Sequence, residues 1–139
     1  MWRFDDVQRQ NIYNKFGGRC AYCGKPISID EMQIDQLVPP WHRLSDGQLV
    51  KNAARGIDDD DNLMPSCHAC NYYKSQLSLE DFRELLKGLP ERCAKSPDVQ
   101  IAMRYGMVDI RKWCGVFLFE FYNISKDEVF RETFGPTNT

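Results

Sequence analysis

Two Cys-x-x-Cys pairs, Cys20 with Cys23 and Cys67 with Cys70, lie far apart in the chain and constrain its fold more than any other feature. A two-residue gap lets a tight turn aim both thiolates at one point, and four such sulfurs at about 2.3 Å close the tetrahedral shell of a single zinc ion. The bland alternative is four reduced cysteines buried as small hydrophobes, which fits poorly with pairs flanked by polar and turn residues. The expected result is a zinc staple between two distant turns.

A chain of 139 residues suits one domain, taken here as 1–139, whose modest core such a staple would supplement. Apolar residues make up 42%, charged residues 27%, and the formal net charge is −2, the profile of an ordinary globular protein. A pI near 5.7 excludes a globally basic footprint, so any nucleic-acid contact must come from a local patch. No apolar run reaches the length of a membrane span, and the first six residues lack the apolar core of a signal peptide. No membrane contact and a cytoplasmic location are therefore expected. In that compartment six cysteines signify metal or free thiols, which leaves Cys93 and Cys114 as unpaired thiols without a role.

Apolar residues at Phe4, Val7, Ile12 and Phe16, a cap at Asp5 or Asp6 and a stop at Gly17-Gly18 predict an N-terminal helix. Met32 to Val38 reads as a short strand ended by Pro39-Pro40. Trp41 to Asp61 reads as a long loop, with at most a helical turn near Leu49 to Ala54. Helices are expected from about Cys67 to Leu77, from Ser78 to Leu89 and from Ser96-Pro97 to about Tyr105. The aromatic run Val116 to Tyr122 reads as a strand, and the tail after Phe134 should fray.

Taken together, Cys20-x-x-Cys23, Ile34-Asp35-Gln36-Leu37-Val38-Pro39, Asp61-Asn62-Leu63 and Cys67-x-x-Cys70-Asn71-x-x-Lys74 resemble the HNH endonuclease family in its four-cysteine zinc version. The resemblance covers about residues 16–77. It implies an α+β fold: a small zinc-stapled ββα-metal core, flanked by the N-terminal helix and by a C-terminal helical and strand extension over about 78–139. It also implies metal-dependent hydrolysis of DNA phosphodiester bonds. Asp35 and Asn71 then hold a catalytic Mg²⁺ or Mn²⁺ through oxygen, the donor type these ions take, and Asn62 braces the general base. Each residue alone has a plainer reading: Asp35 as a solvated strand position, Asn71 as a polar first-turn residue, Asn62 as a turn former after an acidic run.

The departure is Gln36, which stands where the family has its general-base histidine. A carboxamide has no basic site at neutral pH and can at most orient a water, while a positioned base contributes about 10² to 10⁴ in rate. The chain as written should therefore be a poor nuclease or none. Three accounts compete: a deliberate substitution, preferred because the rest of the site is complete; a natural pseudonuclease kept as a nucleic-acid- or protein-binding module, such as an inhibitor or accessory factor; and rescue by His42 or His68. His42 lies beyond two prolines and His68 defaults to solvent. Lys74, one turn after Asn71, is a candidate phosphate contact, with Lys51, Arg55, Arg83, Lys87 and Arg92 as weaker ones. Tyr72 and Tyr73 could stack on bases, although helical spacing argues that at least one is core. A plain zinc-finger adaptor is the third functional reading.

Overall fold

The computed structural model describes residues 4–43, 46, 48–51 and 58–122. Helix α1 (Asp6–Asn14) starts where the sequence places it: the Asp5 carboxylate accepts from the Gln8 amide at 2.8 Å, and the Asp5 amide donates to Gln8 Oε1 at 3.2 Å. Gly17 and Gly18 then take φ of 64° and 79°, and at Gly18 a Cβ would lie 2.8 Å from the Tyr13 hydroxyl oxygen. That hydroxyl donates to the Ile27 carbonyl at 2.7 Å, so the glycine makes room for a bond that ties α1 to the first cysteine turn.

Strand β1 (Gln33–Gln36), β2 (Trp41–Arg43), β3 (Leu49–Lys51) and β4 (Leu63–Ser66) form two separate antiparallel pairs, β1 with β4 and β2 with β3. In the first pair Asp35 lies opposite Met64. In the second, Trp41 lies opposite Lys51. The hairpin corrects the expected unbroken loop over 41–61, because long sequence loops can pair with themselves where their ends are held. The helical turn proposed near Leu49 begins instead as β3, and its remaining residues lie outside those described. Strand β4 carries Pro65, which sequence reasoning would set against a strand. Its carbonyl turns away from β1 to accept the Ala21 amide at 2.8 Å, so the missing N–H falls on that side and no bond to β1 is lost.

Helix α2 (His68–Lys74) leaves β4 through Cys67, whose sulfur accepts from the Cys70 amide. Helix α3 (Leu79–Lys87) begins at the Ser78 cap, with the Ser78 hydroxyl accepting from the Asp81 amide at 3.1 Å. A short helix not anticipated follows, α4 (Leu89–Ala94), because Gly88 remains right-handed and Pro90 sits in the first turn, where its missing N–H is harmless. Helix α5 (Pro97–Arg104) matches its Ser-Pro start. The tail after Phe134 lies outside the described residues.

Val116 to Tyr122 is the clearest correction: its aromatic run forms α6 (Leu118–Tyr122), not a strand. Tertiary partners override the β propensity of the run. The Leu118 and Phe119 amides donate to the carbonyls of Tyr22 and Ala21 at 3.1 and 2.9 Å, and Glu120 accepts from the Phe117 amide at 2.8 Å. Arg83 grips the same Glu120 carboxylate with two bonds of 2.8 Å. Phe82 stacks on Phe117 with centroids 5.3 Å apart, and Tyr22 meets both edge-on. Core residues from α1, the cysteine turns, β4, α3 and α6 thus form one cluster. Phe82 is fully buried, so Phe82→Ala should cost about 3–5 kcal/mol in a urea melt followed by circular dichroism.

Candidate metal centre and nuclease site

The four sulfurs of Cys20, Cys23, Cys67 and Cys70 lie within 4.8 Å of one another, and those of Cys23 and Cys67 are 3.8 Å apart. The edge of a zinc–thiolate tetrahedron with bonds of about 2.3 Å is itself about 3.8 Å, so the cage has the size the ion requires. Backbone amides of Lys25 and Cys70 each reach a sulfur at 3.4 Å, supporting negative charge there. Hydrogen bonding from Cys20 pulls the Cys23 thiol down to about 4, while the hydrogen bond with Cys20 pushes Cys67 up to about 12. Cys70 is driven up as well, first by Cys20 and then by Cys23. Four thiolates this close cannot all carry charge without a cation, and a soft-tolerant divalent ion in their midst removes the conflict.

Beside this cage, β1 and α2 lie face to face. Side chains at Gln33 and Asp35 share one side of the strand because they are two residues apart. On the helix, His68, Asn71 and Lys74 recur every three residues and meet them. Lys74 Nζ lies 3.1 Å from Asp35 Oδ2 and donates to the Gln36 carbonyl at 2.9 Å. The Tyr22 hydroxyl donates to the same Oδ2. Asn71 Nδ2 donates to Gln33 Oε1 at 2.7 Å, and Gln33 Nε2 lies 2.9 Å from His68 Nδ1. With its nitrogen committed to Gln33, Asn71 offers its oxygen as the donor atom for a cation. Asp35 and Asn71 thus sit on the strand and the helix of one contact, each beside a bonded neighbour from the other element, and a carboxylate with an amide oxygen is a donor set that suits Mg²⁺ or Mn²⁺.

Burial pushes the Asp35 carboxyl above its usual range, against the opposing pull of Lys74. Burial likewise lowers the Lys74 ammonium despite Asp35, and burial followed by the Asp35 charge raises Tyr22 well above an ordinary phenol. Gln36 points to the other side of β1, where its Nε2 donates to Asp58 Oδ1 at 3.0 Å. Asn62 clasps the chain just beyond it: Oδ1 accepts from the Val38 amide at 2.8 Å, and Nδ2 donates to the Val38 carbonyl at 3.1 Å.

Several expectations change. Lys74 is 0% exposed and its charge is spent on Asp35, so it does not offer a surface ammonium to phosphate. Arg83 is bound to Glu80 and Glu120, and Arg92 donates to the Leu85 carbonyl. The side chains of His42 and Lys51 and the whole of Arg55 lie outside the described residues. Tyr72 and Tyr73, one of which was assigned to the core, are 75% and 50% exposed. A helix packed on a two-stranded sheet through a single row of side chains leaves its other faces to solvent. Sequence reasoning missed Tyr22 and Gln33. The strand period puts Gln33 beside Asp35, a signal that was there to use, whereas nothing in Cys-Ala-Tyr-Cys announces that the tyrosine reaches Asp35.

A pair of short antiparallel strands followed by a helix, tied at both ends by four cysteines, defines a zinc-stapled ββα core. No family model matches the chain. Over 75 residues, 53% of its length, it is 35% identical to the CRISPR-associated endonuclease Cas9 of Corynebacterium diphtheriae. Over 77 residues, 55% of its length, it is 30% identical to the SPbeta prophage-derived putative HNH endonuclease YoqL of Bacillus subtilis. The aligned stretches are 5% and 32% of those proteins, so the chain spans well under half the length of the curated relatives it matches. Among solved structures, the crystal structure of the Type II-C Cas9 enzyme from Actinomyces naeslundii is similar over 77% of this chain and 12% of that one, at 20% identity and a TM-score of 0.44. The chain is thus similar in sequence to two proteins named as endonucleases, one of them of the HNH kind, and the cysteine cage fits a zinc-stapled ββα core.

Stripping the cage with a chelator should lower the melting temperature by roughly 10 °C or more, read by differential scanning fluorimetry and reversed by added Zn²⁺. Asn62→Ala removes two buried side-chain bonds to Val38. It should cost about 1–3 kcal/mol in chemical denaturation while leaving zinc content at the wild-type level.

Proposed function

We propose that this chain is a metal-dependent nuclease module that hydrolyses DNA phosphodiester bonds, impaired as written at Gln36. The observation that carries the proposal is the strand–helix contact in which Lys74 meets Asp35 and Asn71 meets Gln33, in a chain whose four cysteines form one cage. Asp35 and Asn71 would hold Mg²⁺ or Mn²⁺. Such an ion, when bound, neutralises phosphate charge and stabilises the leaving oxygen. Asn62 fixes the backbone at Val38 and so the end of the strand that carries position 36. Gln36 can aim a water through its amide oxygen but cannot take its proton. Tyr72 and Tyr73, exposed one and two residues beyond Asn71, offer ring faces to sugars or bases. The names of the relatives, both endonucleases, support the substrate class.

The second reading, a catalytically dead HNH module that binds nucleic acid or a protein, is favoured by one observation: the Gln36 side chain, which has no basic atom, is anchored through its Nε2 to Asp58 Oδ1. Plasmid nicking with Mg²⁺ or Mn²⁺ separates the two. Gln36→His should raise the nicking rate by about 10² to 10⁴, and Asp35→Asn in that background should abolish the gain. A zinc-loaded, folded Gln36→His protein that nicks no faster than the wild type would favour the binding module.

A further inference from the structure

Lys74 has no assigned task in the proposed reaction, yet it is a buried cation held against Asp35, a proposed metal ligand. Its side chain is 0% exposed and that of Asp35 only 8%. A buried ammonium is tolerated only where it is paired and its protons are satisfied. Here Nζ meets Asp35 Oδ2 at 3.1 Å and the Gln36 carbonyl at 2.9 Å. The same Oδ2 accepts the Tyr22 hydroxyl, and the Tyr22 ring is wedged edge-on against Phe82, Phe117 and Phe119, so it cannot swing aside. Two fixed donors therefore converge on one carboxylate oxygen, and one of them is an ammonium.

We infer that Lys74 is a positioning residue and a standing counter-ion: with Tyr22 it reserves Oδ2 of Asp35, limits the carboxylate to ligation through Oδ1, and holds divalent-ion affinity below what the bare carboxylate would give. The inference rests on the proposal that Asp35 is a metal ligand. Without the ion, Lys74 neutralises the buried carboxylate and the contact between β1 and α2 stays assembled. With the ion, one carboxylate is shared between two cations whose repulsion weakens the second. Affinity is thereby given up in return for a site that is formed before the metal arrives.

The test is a Mn²⁺ titration of the zinc-loaded protein, followed by electron paramagnetic resonance of the free ion. Lys74→Met, which keeps the stem and drops the charge, should bind Mn²⁺ at least about tenfold more tightly than the wild type, and its melting temperature should rise more on adding Mn²⁺. Tyr22→Phe keeps the ring contacts and removes only the hydroxyl. It should bind a few-fold more tightly, and it carries the test if Lys74→Met does not fold. Unchanged or weaker Mn²⁺ binding in the folded variants, with Asp35→Asn abolishing the site, would overturn the counter-ion role and leave the metal assignment standing. Wild-type-like Mn²⁺ binding by Asp35→Asn would instead remove the metal assignment and the inference with it.

Discussion

Crowding of four thiolates into a space less than 5 Å across is the constraint on which the rest of this fold depends. Such a cluster is unfavourable as charge and unremarkable as packing, so it makes physical sense only around a cation. Closing it joins the turn after α1 to the start of α2 across a long stretch of chain. Among the described residues the core is otherwise modest: the β1–β4 pair and a set of short helices around one aromatic cluster. A domain of this size gains from a staple because it buries a smaller share of its surface than a large one.

The staple and the contact between β1 and α2 are coupled through shared residues rather than through distance. Tyr22 lies between the first two cysteines, packs its ring on Phe82 and Phe117, and gives its hydroxyl to Asp35. Cys67 caps α2, the helix that presents Asn71 to Gln33 and Lys74 to Asp35. Moving either cysteine turn would shift β1 and α2 against each other. The C-terminal segment completes the arrangement, because the first amides of α6 dock on the carbonyls of Ala21 and Tyr22. Residues 117–122 thus brace the same turn from the side opposite β4, whose Pro65 carbonyl holds the Ala21 amide.

Features set by local chemistry were legible in the sequence. The Cys-x-x-Cys spacing foretold the cage, and the caps at Asp5, Ser78 and Ser96 foretold α1, α3 and α5, because each requires only neighbours within a few residues. The four ordered motifs resemble the HNH family and single out Asp35, Asn62 and Asn71, whose roles belong to the proposed function. What could not be read depended on distant partners. Val116 to Tyr122 has strand composition but becomes a helix because Arg83 and the Tyr22 carbonyl satisfy its first turn. Lys74 looked like a surface cation because its partner, Asp35, lies 39 positions earlier and meets it only after β1 and α2 pack. Pro65 looked incompatible with a strand until its carbonyl was seen to turn toward Ala21.

The joining of the first cysteine turn to the start of α2 requires that sulfur alone surround one zinc ion. X-ray absorption at the zinc K-edge, with metal content measured on the same purified sample, addresses this directly. The predicted result is one zinc per chain with four sulfur neighbours at about 2.3 Å and no nitrogen or oxygen in the first shell. A shell containing His68 nitrogen or water oxygen, or a folded protein that carries no zinc, would contradict the account.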